Sequence, residues 1–230
     1  MTAPASGVIM EPMENGPVWD ADRTWTAVQV ERARLAANLE HLSPEQWRTA
    51  SLCTEWTVEE TLAHLTAGAS TGRLAWLRSM VSARFDAGRH NARRLREHLG
   101  STPADTWARF AAVTDSRVAP TGDTWAWLGE VVVHGTDIRV PLGLPGGPDP
   151  EAVAEVARRF AARDFAVDSA RLVRGLSLAA TDADVRCGAG PEVRGPVLSL
   201  VMTMAGRPYG LAALEGNGVP ELRRRIDADG

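Results

Sequence analysis

Between Pro141 and Pro150 the chain places four prolines and three glycines in ten residues. Proline removes a backbone donor and fixes φ, and glycine releases the backbone, so neither a helix nor a strand is expected to cross this stretch. It divides the chain into two parts of different texture. Long amphipathic runs precede it, and one helix followed by short alternating runs comes after it. The expected organisation is a loose leader over 1–20, a helix bundle over 21–145 and a small α/β unit over 146–230.

The first part reads as helices with explicit start signals. From Thr24, the residues Val28, Val30, Leu35, Leu39 and Leu42 form a rough 3.6-residue stripe. Ser43-Pro44-Glu45-Gln46 gives an N-cap, a proline at the first helical position and a glutamine three residues past the cap. Thr57 and Glu60 repeat the capping box, and the helix they open is expected to reach about Phe85. Further helical stretches are expected over His90–Leu99, through Trp107, Phe110 and Val113, and from Asp123 or Thr124 to a stop at Pro141 and the run Gly143–Pro148. Beyond the proline-rich stretch a helix runs from Pro150 to about Phe165. Leu176–Ala179, Ala183–Cys187 and Glu192–Arg194 read as strands. Val197–Val201 and Val219–Ile226 read as two last helices, the first of them stopped by Gly206-Arg207-Pro208. The fold class is therefore α+β: an N-terminal four-helix bundle with a small C-terminal α/β domain.

Charge and residue usage narrow the chemistry. The formal charge is −4, which argues against a dedicated nucleic-acid partner. No apolar run approaches the eighteen or so residues of a membrane span. The N-terminus lacks the basic-then-apolar order of a secretory signal, so a cytoplasmic location is expected. Every basic residue apart from the histidines is arginine, which excludes Schiff-base chemistry and a P-loop lysine. Two cysteines, Cys53 and Cys187, make no disulfide framework. Cys53 has no basic neighbour in sequence and reads as a small hydrophobe.

Three residues stand out as a ligand set. Glu130 and His134 are four apart on one helix, so their side chains share a face, and the intervening Val131-Val132-Val133 implies a buried helix. A buried carboxylate needs a partner, which a metal, an arginine or the histidine itself supplies. His64 lies mid-helix between apolar residues and faces inward, either as a core histidine or as a third ligand. Two histidines and one carboxylate form a set suited to catalytic zinc, with a position left open. Asp137, one turn past His134, is placed to hold that histidine's other ring nitrogen. Arg93, Arg94 and Arg207 are candidates for binding carboxylates, Arg207 because Gly206 and Pro208 bracket it. The tryptophans, Trp56 among them, read as core.

The motif Trp56-Thr57-Val58 with Leu62, His64 and Leu65 resembles the second helix of DinB-like bundles. It is most similar to the mycothiol-dependent maleylpyruvate isomerase family of actinobacteria. Glu130-x-x-x-His134-x-x-Asp137-Ile138 resembles that family's second metal motif. Gly195-Pro196-x-Leu198-x-Leu200, running on to Ala205-Gly206-Arg207, resembles its C-terminal domain. The resemblance implies a divalent metal, usually zinc, on His64, Glu130 and His134. It implies catalytic arginines from both parts: Arg207 by motif, also as a cofactor contact, and Arg94 by its distance from His64. It also implies mycothiol as a thiol cosubstrate, activated as a metal-bound thiolate and added to an electrophilic small molecule. The outcome is cis-trans isomerisation or S-transfer, in a monomer or homodimer. Two other readings stay open: a metal-dependent hydrolase using water, and a non-catalytic, metal-binding regulatory bundle.

Overall fold

A computed structural model of the chain describes residues 19–53, 56–74, 77, 87–119, 121–164 and 167–229. The leader expected over 1–20 lies outside these, apart from its last two residues. Asp20 is not loose: its carboxylate accepts the Arg23 N–H at 2.8 Å and caps α1 (Ala21–Leu39). On α1 the inward stripe is Trp25, Val28, Leu35 and Leu39, whereas Val30 is 42% exposed. Counting Val30 into the stripe was an error of phase.

Both capping boxes form. Ser43 and Gln46 close one around α2 (Pro44–Trp47), and Thr57 and Glu60 close the other at the start of α3 (Val58–Ser70). Thr57 Oγ1 receives the Glu60 N–H, and Glu60 Oε2 receives the Thr57 N–H at 2.8 Å. Replacing Thr57 with alanine leaves one donor without its acceptor, and urea unfolding is expected to show a loss of about 1 kcal/mol. Helix α3 stops at Ser70 rather than near Phe85, because Thr71 turns extended; most of the remaining expected span lies outside the described residues. Among the described residues, helical positions 73, 74 and 77 are followed by α4 (Ala87–His98) and by α5 (Pro103–Ala111), which starts on a Thr102 cap.

The central helix is α6 (Thr124–Leu142), which packs on both α1 and α3. It ends where Pro141 and the run that starts at Gly143 were expected to end it. The helix continues to Leu142, where Gly143 takes a left-handed conformation (φ 60°) and the Leu144 N–H returns to the Arg139 carbonyl at 3.1 Å. A proline in the last turn removes only one intrahelical bond, the one from residue 141 to the Asp137 carbonyl. That carbonyl instead accepts the Leu52 N–H at 3.0 Å, pinning the loop before α3 to α6.

The second part contains α7 (Pro150–Ala162) and α8 (Ser169–Val173). Strands β1 (Ser177–Ala180), β2 (Arg186–Gly188) and β3 (Glu192–Gly195) form one sheet in the order β2-β1-β3. β1 pairs antiparallel with β2 and parallel with β3. Helix α9 (Val197–Met204), a 3-10 turn (Pro208–Ala213) and α10 (Val219–Asp229) complete it. The architecture is a helical bundle carrying a small α/β unit.

One apolar cluster joins the two parts. It takes Val131 and Val132 from α6, Val153 and Val156 from α7, Leu178 and Val193 from the sheet and Leu200 from α9. A second cluster inside the bundle gathers Leu35, Leu62, Phe110 and Ile138. Each fully buried side chain of this size contributes about 1.5–3 kcal/mol. Because α6 feeds both clusters, it is held on all sides, and its polar residues enter the interior with it. No helix among the described residues is long and apolar enough to cross a membrane.

Candidate metal centre

Glu130, His134 and Asp137 occupy successive turns of α6, and His64 meets them from the middle of α3. The His64 Nε2 group lies 3.0 Å from Glu130 Oε2, and His134 Nε2 lies 3.5 Å from the same oxygen. The three ligand atoms fall within 4.8 Å of one another. A tetrahedral set at about 2.1 Å from one cation has its ligand atoms about 3.4 Å apart. The separations here bracket that value, so the donor set fits a small divalent ion with little rearrangement.

The supporting contacts are those of a ligand histidine. His134 Nδ1–H donates to Asp137 Oδ2 at 3.0 Å, which fixes the tautomer and turns Nε2 toward Glu130. Asp137 is fully buried. It also receives a fork from Arg207: Nη2 to Oδ2 at 2.8 Å and Nε to Oδ1 at 3.2 Å. Arg207 further donates from Nη1 to the Ala205 carbonyl at 2.7 Å. A chain of contacts thus runs from Arg207, three residues past α9, through Asp137 to the ligand set.

Electrostatics follow the contacts. Burial pushes the Glu130 carboxyl up, but hydrogen bonds from His134 and His64 prevail and leave it far below the usual range. Burial pushes His134 down, yet its bonds to Asp137 and Glu130 outweigh this and lift it to about 9. Asp137 is lowered overall: burial raises it, while His134 and Arg207 pull it down further. In the metal-free site His134 is therefore an imidazolium set between two carboxylates.

A small recess opens over Glu130 and His134, walled by Trp125, Val133, Phe160 and Arg207. Trp56 stands beside both histidines. Its ring centroid lies 4.7 Å from that of His64 and 6.0 Å from that of His134, so reading it as plain core missed its place. The same holds for Cys53, whose sulfur lies within 4.8 Å of ligand atoms of His134 and Asp137. Their shared sequence signal is position: both stand in the short loop immediately before the capping box of α3.

Arg94 requires a correction. Its guanidinium donates to Thr71 Oγ1 at 2.6 Å and to Glu97. Thr71 is seven residues past His64, about 10 Å along the helix axis. Arg94 is tied there and does not line the recess over the ligand set. Arg93 also pairs with Glu97. His98, whose pKa burial lowers, stays on α4 beside Arg94.

Comparison with known proteins agrees with the resemblance of the sequence motifs. Residues 28–89 match the family model described as the mycothiol maleylpyruvate isomerase N-terminal domain. Two solved structures share the fold: a mycothiol-dependent maleylpyruvate isomerase and a histidine-to-alanine mutant of it. Each superposes with a TM-score of 0.57, covering 86% of this chain and 93% of the other, at 17% and 16% identity. No curated protein matches the chain by sequence.

Proposed function

We propose, on the premise that residues 28–89 carry the N-terminal domain of the mycothiol maleylpyruvate isomerase family, that this chain is a metal-dependent enzyme. In this reading it adds mycothiol to an electrophilic small molecule, with isomerisation or S-transfer as the outcome. The observation that carries the proposal is the convergence of His64, Glu130 and His134 beside an open recess, with His134 oriented by a buried carboxylate. These three residues would hold a divalent ion, zinc by the chemistry of a two-histidine, one-carboxylate set. Such an ion supplies the Lewis acidity that keeps a thiol deprotonated at neutral pH.

The chain's own residues shape what can react there. Trp56 packs its ring against His64 and so helps to hold that imidazole in place. Trp125, Val133 and Phe160 offer an apolar wall to the body of a small electrophile. Arg207 uses three of the five N–H groups of a guanidinium internally, and two remain for an anionic group of substrate or thiol. Its first task is to position Asp137. The bundle over 21–145 and the α/β unit over 146–230 would thus each contribute to one site.

The test removes both cysteines, because Cys53 lies beside His134. A Cys53→Ala, Cys187→Ala double variant is assayed with an electrophile such as maleylpyruvate, with and without mycothiol. Turnover that requires mycothiol and survives the double substitution is expected. Turnover without any added thiol points to water as the nucleophile and a hydrolase. Loss of turnover in the double variant, with the wild type active, makes a protein thiol the nucleophile.

A further inference from the structure

A second recess, of about 390 Å³, opens on another flank of α6 toward its C-terminal end. Its walls are largely apolar: Val140, Leu144, Pro148, Leu198 and the ring of Tyr209. The one charged residue lining it is Arg139, which is 4% exposed. Arg139 Nε–H donates to Asn38 Oδ1 at 2.9 Å. Among the described residues neither of its Nη groups makes a hydrogen bond, and no carboxylate pairs with it.

The seat of this guanidinium is built into the helix. A Cβ at Gly135, one turn earlier, would lie 2.8 Å from Arg139 Nη1. The glycine is what lets the side chain fold back along α6. Glu31 lends it electrostatic support at a distance while Arg34 opposes it. The Oε1 atom of Glu31 is itself taken by the Asp149 N–H at 2.9 Å and by Arg34 at 3.1 Å. A mostly buried cation thus keeps hydrogen-bonding capacity that no described protein group uses, and its Nη atoms are not among the fully buried atoms without a partner, so solvent reaches them. On the loop side, a Cβ at Gly143, Gly146 or Gly147 would meet nothing within 4 Å, so that wall stays low and open to entry.

We propose that this recess is a binding site for a small amphipathic carboxylate. Its carboxylate would meet the unpartnered Nη groups of Arg139, and its apolar body would lie against Val140, Leu198 and Tyr209. A single guanidinium suits a monoanion, since a fork matches one carboxylate bidentately. Phosphate, with more charge and no apolar body, would leave oxygens unpaired and the apolar walls wet. The dimensions suit a small organic ligand.

Benzoate is the probe, titrated calorimetrically into the full-length protein as purified, with benzamide, acetate and inorganic phosphate in parallel. Benzoate is expected to bind at least about tenfold more tightly than the three others, and Arg139→Gln to weaken it by at least about tenfold. Tyr209→Ala, at a half-exposed rim position, is expected to weaken it severalfold without disturbing the fold. Leu198→Glu supplies a competing carboxylate inside the recess and is expected to abolish binding, which keeps the test decisive if Arg139→Gln does not fold. Benzoate affinity should be unchanged by a metal chelator. Affinity that is insensitive to both Tyr209→Ala and Leu198→Glu, that disappears on chelation, or that phosphate equals would overturn the proposal.

Discussion

Replacing His134 with alanine is expected to empty the metal centre. Wild-type protein purified without chelator should carry about one equivalent of divalent ion by elemental analysis, and the variant close to none after dialysis. Structural zinc binding is of order 10 kcal/mol, so one of three ligands accounts for about 3 kcal/mol, or more than a hundredfold in affinity. The substitution also leaves Asp137 and Glu130 without the imidazole that each contacts in the metal-free site. A variant that retains the ion as tightly as wild type would remove His134 from the ligand set. The raised pKa of His134, about 9, adds a pH dependence whose sign is fixed. At pH 7 an entering cation must displace a proton, so metal affinity should rise between pH 7 and pH 9. In the metal-free protein the opposite holds for stability. The contribution of the raised imidazolium is complete below pH 6.5, its ordinary value, and is lost as pH rises through about 9.

The second large effect concerns Asp137. Its carboxylate joins His134 to Arg207 with no exposure to water. Asp137→Ala strands a mostly buried guanidinium, and breaking such a pair from one side costs about 3–5 kcal/mol. Urea denaturation should show this loss. Adding Arg207→Met to the Asp137→Ala background should restore part of it, because the stranded charge is then gone. Strictly additive single and double variants would mean that the pair is not coupled. The milder Asp137→Asn keeps an acceptor for His134 and is expected to lower metal affinity about 10–100-fold with a smaller cost in stability.

Features decided within one or two turns were legible from the residues alone. The capping boxes at Ser43 and Thr57 formed as read, since each involves partners three residues apart. Glu130 and His134 were likewise legible as a pair, being one turn apart on a helix. The position of His64 against them is a matter of packing between helices separated by 66 residues, and only its residue type and the family motifs pointed to it. The end of α6 at Pro141 to Gly143 was legible too, but not why the proline fits inside the last turn. A proline is a strong stop where its lost hydrogen bond goes unreplaced, and the replacement comes from Leu52, far away in sequence. Arg94 shows the limit of distance along the chain as a guide: its spacing from His64 matched, but Thr71 and Glu97 fix where its guanidinium goes. Cys53 and Trp56 were misread because a loop's position is set by what it docks on.

The bond from Leu52 to the Asp137 carbonyl bears on how this protein tolerates change over generations. The loop carrying Cys53 and Trp56 is moored to α6 by main-chain atoms on both sides. Its own side chains can drift without cutting the mooring, because nearly every residue brings the same N–H. Residue 141 has no such latitude. Any amino acid but proline there returns a donor to the helix, which then competes for the one carbonyl that the loop depends on. The main-chain bond at 52 and the proline at 141 are thus tied to one carbonyl, while the Leu52 side chain is held separately by the apolar cluster.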